Sequence, residues 1–396
     1  MNFLTSRFAI KIFLSTIFFV GVLTVTVYIN QKQDALDKYT SDISCIIPGQ
    51  NIDVQCLSQE IDSLIATQGA DVAMERLAEA TRMDDQFASS CHGFAHRIGQ
   101  ETFRAFAQGK DIAISPKITY CTYGFYHGFM EAAAQLNGDY KKIAEFCAII
   151  DDKLRPTGLD TSAECYHGIG HGAVEEHDIQ EKTDAVLLSR QSLRLCEESA
   201  KTDNQKINCA SGVFNGIANA YIAGQYGLSA NQKTPAEFCN SQPSYAREVC
   251  YAFMARVYLS LANGNFSEAI AQAKQTANQD VMPSIISNAA VIYAGRYLRE
   301  NLDPVVSSCH SINHAWRDAC IKGMVIGLVQ SSPPEQEFQN AIRLCRLPSI
   351  FGEEKEICMR ELFTELKKMY PHESFQALCQ TSNPDERAIC SSVLRQ

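Results

Sequence analysis

The stretch Cys165-Tyr-His-Gly-Ile-Gly-His-Gly172 poses the question on which the fold turns. A cysteine, two histidines four apart and three glycines make either a ligand set on one helix face or a helix-packing motif. Three relatives share the frame Cys-x-x-Gly-x-x-x-Gly: CTYGFYHG from Cys121, CASGVFNG from Cys209 and CIKGMVIG from Cys320. Glycines at i and i+4 lie on one helix face. Each costs about 1 kcal/mol relative to alanine in a helix interior, and close approach by a neighbouring backbone is the packing gain that offsets it. Because Gly323 and Gly327 occur with no histidine beside them, packing accounts for the glycines.

The cysteines around these frames set the architecture. All 16 fall into consecutive couples: Cys45 with Cys56, Cys91 with Cys121, Cys147 with Cys165, Cys196 with Cys209, Cys239 with Cys250, Cys309 with Cys320, Cys345 with Cys358, and Cys379 with Cys390. An even count in an exported chain reads as disulfides, each worth about 3 kcal/mol in the chain-entropy view. First members end short apolar stretches, as in AEFC at 144–147 and 236–239, LRLC at 193–196 and IRLC at 342–345. Second members open helix-like segments, as Cys250 does before YAFMARVYLSL and Cys358 before MRELFTELKKMY. Thr234-Pro235-Ala236-Glu237 adds a capping-box start with proline at the first helical position. Each couple is therefore expected to staple the end of one helix to the start of the next. The Cys91–Cys121 couple, with its long loop, instead joins the starts of two neighbouring helices.

Second members recur at steps of roughly 30–45 residues, the period of stacked helix hairpins. The one longer step, from Cys250 to Cys320, holds FSEAIAQAKQTANQD and PSIISNAAVIYAGRYLREN, two helical patterns that make a hairpin without cysteines. The expected fold class is all-α: disulfide-stapled α/α hairpin repeats, an open solenoid or a closed toroid, after one N-terminal transmembrane helix. Residues 8–29 are the expected signal-anchor, 30–59 a linker with the first cysteine couple, and 60–396 the repeat domain.

The anchor rests on Arg7 and Lys11 preceding the uncharged apolar run Ile12–Ile29, close to the minimum length for a membrane span. No Ala-x-Ala pattern follows, so an uncleaved anchor is expected, with a cleaved signal peptide as the alternative. Positive charge before the span keeps the N-terminus cytoplasmic and sends the bulk of the chain outside, to a periplasmic or extracellular space. A net charge of −10 without a basic run excludes nucleic acid as a partner.

The histidines remain. The position before the second glycine holds His127, His171 and Asn215, and that before the first holds Tyr123, His167 and Ser211. SCHGFAHR fits the frame with Ser90 in the cysteine slot, which puts His92 and His96 in the same two columns. Glu131 and Glu175 lie one turn beyond His127 and His171. Histidines at i and i+4 project from one face and can hold a single ion. Stacked repeats bring such faces together, so His92, His96, His127, His167, His171, Glu131 and Glu175 form a candidate site for a divalent metal: zinc, iron or manganese. All five histidines are expected in the first two helical turns, where the dipole keeps imidazole neutral. The alternative is that these rings simply fill grooves between helices. His310 and His314, also four apart, stand outside the frame and read as structural; His177 and His372 follow no pattern. No haem, phosphate-loop, Cys-x-x-Cys or His-Glu-x-x-His motif occurs. Glu164-Cys-Tyr-His167 matches half of a di-iron carboxylate motif whose second half is missing.

In layout, residues 60–396 resemble tetratricopeptide and Sel1-like helical repeats, without the Trp and Tyr signature of the former. That resemblance implies a scaffold that recruits a protein or peptide. The Cys-His-Gly at 91–93 is similar to segments of the lanthionine cyclases, helical toroids that bind zinc; order and spacing differ, and no ligand carries over. Two functions are expected: a membrane-anchored extracytoplasmic binding scaffold or, alternatively, a metal-binding protein or metal-dependent enzyme built on repeats 90–176, with Glu131 or Glu175 as ligand or general base.

Overall fold

The computed structural model describes residues 45–46, 52–84, 87–110, 112–137, 140–175, 184–225, 234–297 and 300–395. The expected anchor at 8–29 and most of the linker lie outside these residues. Among the described residues no helix is long and apolar enough to cross a membrane. The chain divides into two compact units, Met1–Glu60 and Ile61–Gln396. In the first, the Cys45–Cys56 bond is formed. Helix α1 (Val54–Thr67) carries Cys56.

The second unit is a succession of helices with no strand among the described residues. In order they are α2 (Ala70–Met83), α3 (Cys91–Ala107), α4 (Gly124–Asn137), α5 (Tyr140–Leu154), α6 (Ser162–Glu175) and α7 (Ala185–Ser199). There follow α8 (Asp203–Ala223), α9 (Pro235–Asn240), α10 (Ser244–Leu261), α11 (Phe266–Thr276), α12 (Met282–Gly295) and α13 (Asp303–His310). The last are α14 (Arg317–Ser331), α15 (Glu337–Cys345), α16 (Glu353–Met369), α17 (His372–Thr381) and α18 (Pro384–Leu394).

One row of helices carries the core. Each of α3, α4, α6, α8, α10, α12, α14, α16 and α18 packs on the next. The helices between them in sequence, from α5 to α17, each pair with the row helix that follows. All eight couples form disulfides as expected. Six of these bonds tie a pairing helix to its row helix, and only the α11–α12 hairpin lacks one, as its sequence requires. The Cys91–Cys121 bond joins the starts of α3 and α4, both in the row, across the long loop.

The helix starts differ from expectation. Second cysteines sit one or two turns inside their helices, and in α8 and α18 a side-chain cap, not the cysteine, marks the start. Thr202 caps α8 ahead of Cys209 in a reciprocal box with Gln205, and Thr234 with Glu237 does the same for α9. At Cys121 the departure is larger: α4 starts at Gly124, and Cys121, Thr122 and Tyr123 take φ of 56°, 56° and 58°. Non-glycine residues pay roughly 1–2 kcal/mol each in this left-handed region. The turn is held by the Cys91 bond and by Thr122 Oγ1, which donates to the Gln330 carbonyl 2.9 Å away and 208 residues on. Nearby, Tyr120 donates to Glu335 at 3.1 Å and Arg82 pairs with Glu335 at 3.4 Å. The segment before α4 thus meets the end of α14.

The glycine frames lie where row helices touch. A Cβ on Gly124 would stand 2.6 Å from the His92 carbonyl oxygen, and one on Gly168 or Gly172 would stand 2.8 Å from the carbonyls of Tyr126 or Met130. On Gly128, Gly212, Gly323 and Gly327 it would overlap the carbonyls of His96, His167, Ser287 and Val291. Gly216 is looser, meeting only the Val174 side chain at 3.4 Å. By contrast Gly93 has nothing within 4 Å of an added Cβ. Gly128→Ala is expected to destabilise by about 1–3 kcal/mol through overpacking, while Gly93→Ala leaves stability unchanged or raises it by up to about 1 kcal/mol. Urea denaturation of the two variants checks the contrast; equal effects would mean that the row helices do not meet at Gly128.

Candidate functional site

The row helices from α3 to α14 surround a cavity of about 1000 Å³, and the helices paired with them contribute nothing to its lining. Numbered from the cysteine slot, the second residues His92, Tyr123, His167 and Ser211, and the tenth residues Glu131, Glu175, Asn219 and Gln330, line it on either side of the sixth, one helical turn apart. The sixth column holds His96, His127, His171, Asn215, Arg256 and Ile326, all in the lining. In α12, which lacks a cysteine, Ser287, Val291 and Gly295 take the three places.

Five imidazoles form one continuous cluster. Ring centroids of His92, His96 and His127 are 4.8 to 5.2 Å apart, and His127 lies 5.0 Å from His167 and 4.4 Å from His171. Two triads result, His92–His96–His127 and His127–His167–His171, each with its ligand atoms within 4.8 Å of one another.

A hydrogen bond fixes the tautomer of His92 in the first triad. His92 Nδ1 is 3.0 Å from the Cys121 carbonyl, which only accepts, so Nδ1 carries the proton. His96 Nδ1 is 3.3 Å from Glu131 Oε2, and a carboxylate likewise only accepts. The Nε2 of His92 is therefore bare, and it faces His96 Nε2 at 3.1 Å. His127 Nδ1 lies 3.2 Å from His92 Nε2. A tetrahedral ion with Zn–N bonds of about 2.0–2.1 Å places its nitrogens roughly 3.3–3.4 Å apart, close to these separations.

In the second triad Ser211 Oγ donates to the Asn208 carbonyl at 2.6 Å, so it accepts from His167 Nδ1, also at 2.6 Å. Asn215 Nδ2 then donates to His171 Nε2 at 3.0 Å and His167 Nε2 at 3.3 Å. Asn215 Oδ1 is left buried without a hydrogen-bond partner.

Burial is the main cause that keeps four of these imidazoles neutral. It pushes His92 down to about 4 and His167 to about 3, and it holds His127 and His171 well below the usual histidine range. The expected dipole explanation does not hold for His171: α6 begins at Ser162, so this residue sits in the third turn. Glu164 shares the cavity, and burial, followed by the negative charge of Glu365, raises its carboxyl to about 7.

His92, His96, His127, His167, His171 and Glu131 converge as the pattern requires, and Glu175 lines the same cavity. Glu131 approaches His96 from the neighbouring helix and also accepts from Gln100 at 3.5 Å. His310 lies apart, bonded to Glu354 at 3.0 Å. Arg256, Asn219 and Gln330 escaped the sequence pattern, although counting the columns past the glycine frames would have found all three. No protein-family model, no curated protein and no solved structure matches this chain.

Glu164 gives the site a testable pH response. Its folded pKa of about 7 lies above the free value of 4.5, so its contribution to stability is present below 4.5 and lost as pH rises through 7. Solvent reaches this carboxyl in part, so the loss is put at about 1–3 kcal/mol. Glu164→Gln should match wild type in urea denaturation near pH 4.5 and exceed it by that amount one unit above the folded pKa. Equal stability at both would show the carboxyl to be freely hydrated.

Proposed function

We propose that this chain is an extracytoplasmic metal-binding protein, with residues 8–29 as its membrane anchor, that holds a divalent ion at His92, His96 and His127 and offers it to a ligand in the cavity. The carrying observation is the bare Nε2 of His92, 3.1 Å from His96 Nε2 and 3.2 Å from His127 Nδ1. That lone pair would meet a cation held between the rings, to which His96 and His127 bring a second and a third nitrogen. Three imidazoles suit zinc or iron, and manganese where a carboxylate joins. Glu131, bonded to His96 Nδ1, acts as the outer carboxylate that fixes a ligand's tautomer.

A three-histidine site leaves a coordination position for water or substrate, the arrangement of catalytic rather than structural metal centres. The ion supplies Lewis acidity, and Glu164, poised near neutrality, is suited to carry a proton in the same cavity. This supports a metal-dependent reaction on a ligand that fits about 1000 Å³. We read the array as a solenoid of α/α hairpins whose row of helices turns back on itself toward a toroid, like tetratricopeptide and Sel1-like arrays in layout. Eight disulfides agree with an oxidising compartment. The scaffold reading places recruitment of a protein or peptide on a broad concave face; the histidines instead line a cavity of small-molecule size, which favours the metal.

Elemental analysis of the full chain, reconstituted with zinc, iron(II) or manganese(II), tests this. Wild type should retain about one ion per chain, lose it with His127→Ala, and melt at lower temperature in chelator. Wild type that takes up none of the three, with melting indifferent to chelator, would sink the metal and leave the scaffold.

A further inference from the structure

Arg256 stands in the column that holds His127, His171 and Asn215 in earlier helices, yet it brings charge where they bring neutral donors. Its Nη1 donates to Asn219 Oδ1 at 2.5 Å, and its guanidinium lies 5.9 Å from the Phe253 ring centroid. Phe253 in turn is 5.8 Å from the His167 ring, so aromatic contact links the arginine to the histidine cluster. Of five guanidinium N–H donors, none besides the one aimed at Asn219 has a protein acceptor among the described residues. No carboxylate pairs with Arg256 among those residues either, although Glu131, Glu164 and Glu175 line the same cavity. Arg296 joins it in the lining of this cavity and of an adjoining one of about 550 Å³, again without a carboxylate partner among the described residues.

A partly buried cation without a counter-ion is costly. Burial lowers Arg256 to about 10, which still leaves it charged at neutral pH, and its charge reaches far enough to disfavour protonation of His167, His92 and His171. A planar fork with its free donors turned into a cavity is the usual receptor for a planar or tetrahedral oxyanion.

We infer that the ligand of this cavity carries an oxyanion, a carboxylate or a phosphate, and that Arg256, oriented by Asn219 and Phe253, binds it beside the histidine cluster. This rests on the cavity's being a ligand site, as proposed above, but not on the ion itself. Glu131 is turned to His96 and Gln100, and no carboxylate of the cavity pairs with Arg256 among the described residues, so the countercharge comes from the ligand.

The test is isothermal titration of the full chain with inorganic phosphate and with acetate, in chelator and after metal loading, on wild type, Arg256→Gln and Asn219→Asp. Wild type should bind at least one of the two saturably in both states. Arg256→Gln should weaken that binding roughly ten- to hundredfold. Asn219→Asp, which keeps the arginine and supplies an internal carboxylate, should weaken it by a similar factor with an unchanged melting profile, so that loss of fold is separable from loss of the receptor. Binding equal in all three proteins, or absent from wild type for both anions, would overturn the inference. Metal content measured on the same samples keeps the two proposals apart: Arg256-dependent binding in a chain that takes up no metal sinks the ion alone, and metal retained with anion binding indifferent to Arg256 sinks the oxyanion alone.

Discussion

Backbone contact between successive row helices is the constraint from which the site follows. Gly128 lies against the His96 carbonyl and Gly212 against that of His167, at separations that no Cβ permits. With side chains at those positions the helices would stand at the usual 8–10 Å or so, and imidazoles on their cavity faces would lose the 4.4 to 5.2 Å centroid spacing that joins them into one cluster. The disulfides supply the other half of the constraint. Six of them fix a row helix along its axis relative to its pairing helix. A glycine stripe without that clamp could slide by a turn, and the columns would no longer face one another.

The same closeness sets the chemistry. A carbonyl forced outward by the left-handed turn at Cys121 meets His92 Nδ1, so the strain stored at residues 121–123 and the orientation of a ring on another helix have one cause. His127 belongs to both triads, but the two do not compete equally for it. His167 and His171 already accept from Asn215, whereas the Nε2 atoms of His92 and His96 face one another. The first triad therefore has more to gain from a cation, and Asn215, in the column where histidine stood before, marks the point at which the row changes from ligands to hydrogen-bond donors.

Much of this was legible in the chain because disulfide pairing and glycine spacing are short-range facts. Each cysteine bonds its neighbour in sequence, so the hairpins follow from spacing, and the two histidine columns follow from the glycine frame. Three things were not legible, each for a physical reason. Helix starts belong to caps such as Thr202, not to the conspicuous cysteines. The left-handed turn at Cys121 depends on Gln330, 208 residues away, and no local pattern carries that distance. Arg256 keeps the column register without either of the glycines that announced it, and in the third column Asn219 and Gln330 lack the histidine one turn earlier that drew attention to Glu131 and Glu175.

The distribution of charge gives the cavity its character. A chain with a net charge of −10 repels anions at long range, and screening confines that field to roughly 8–10 Å at physiological salt. Inside, the charges are closer to balance: Arg256 and Arg296 have no carboxylate partner among the described residues, burial raises Glu164 to about 7, and Glu131 and Glu175 line the same cavity. A bound divalent ion would make that interior positive, since Glu131, Glu164 and Glu175 together offset less than an ion and two arginines supply. An interior of this sign within an acidic surface selects by desolvated short-range contact rather than by steering, which suits a cavity that admits few ligands and holds them at a defined orientation between a guanidinium and a row of histidines.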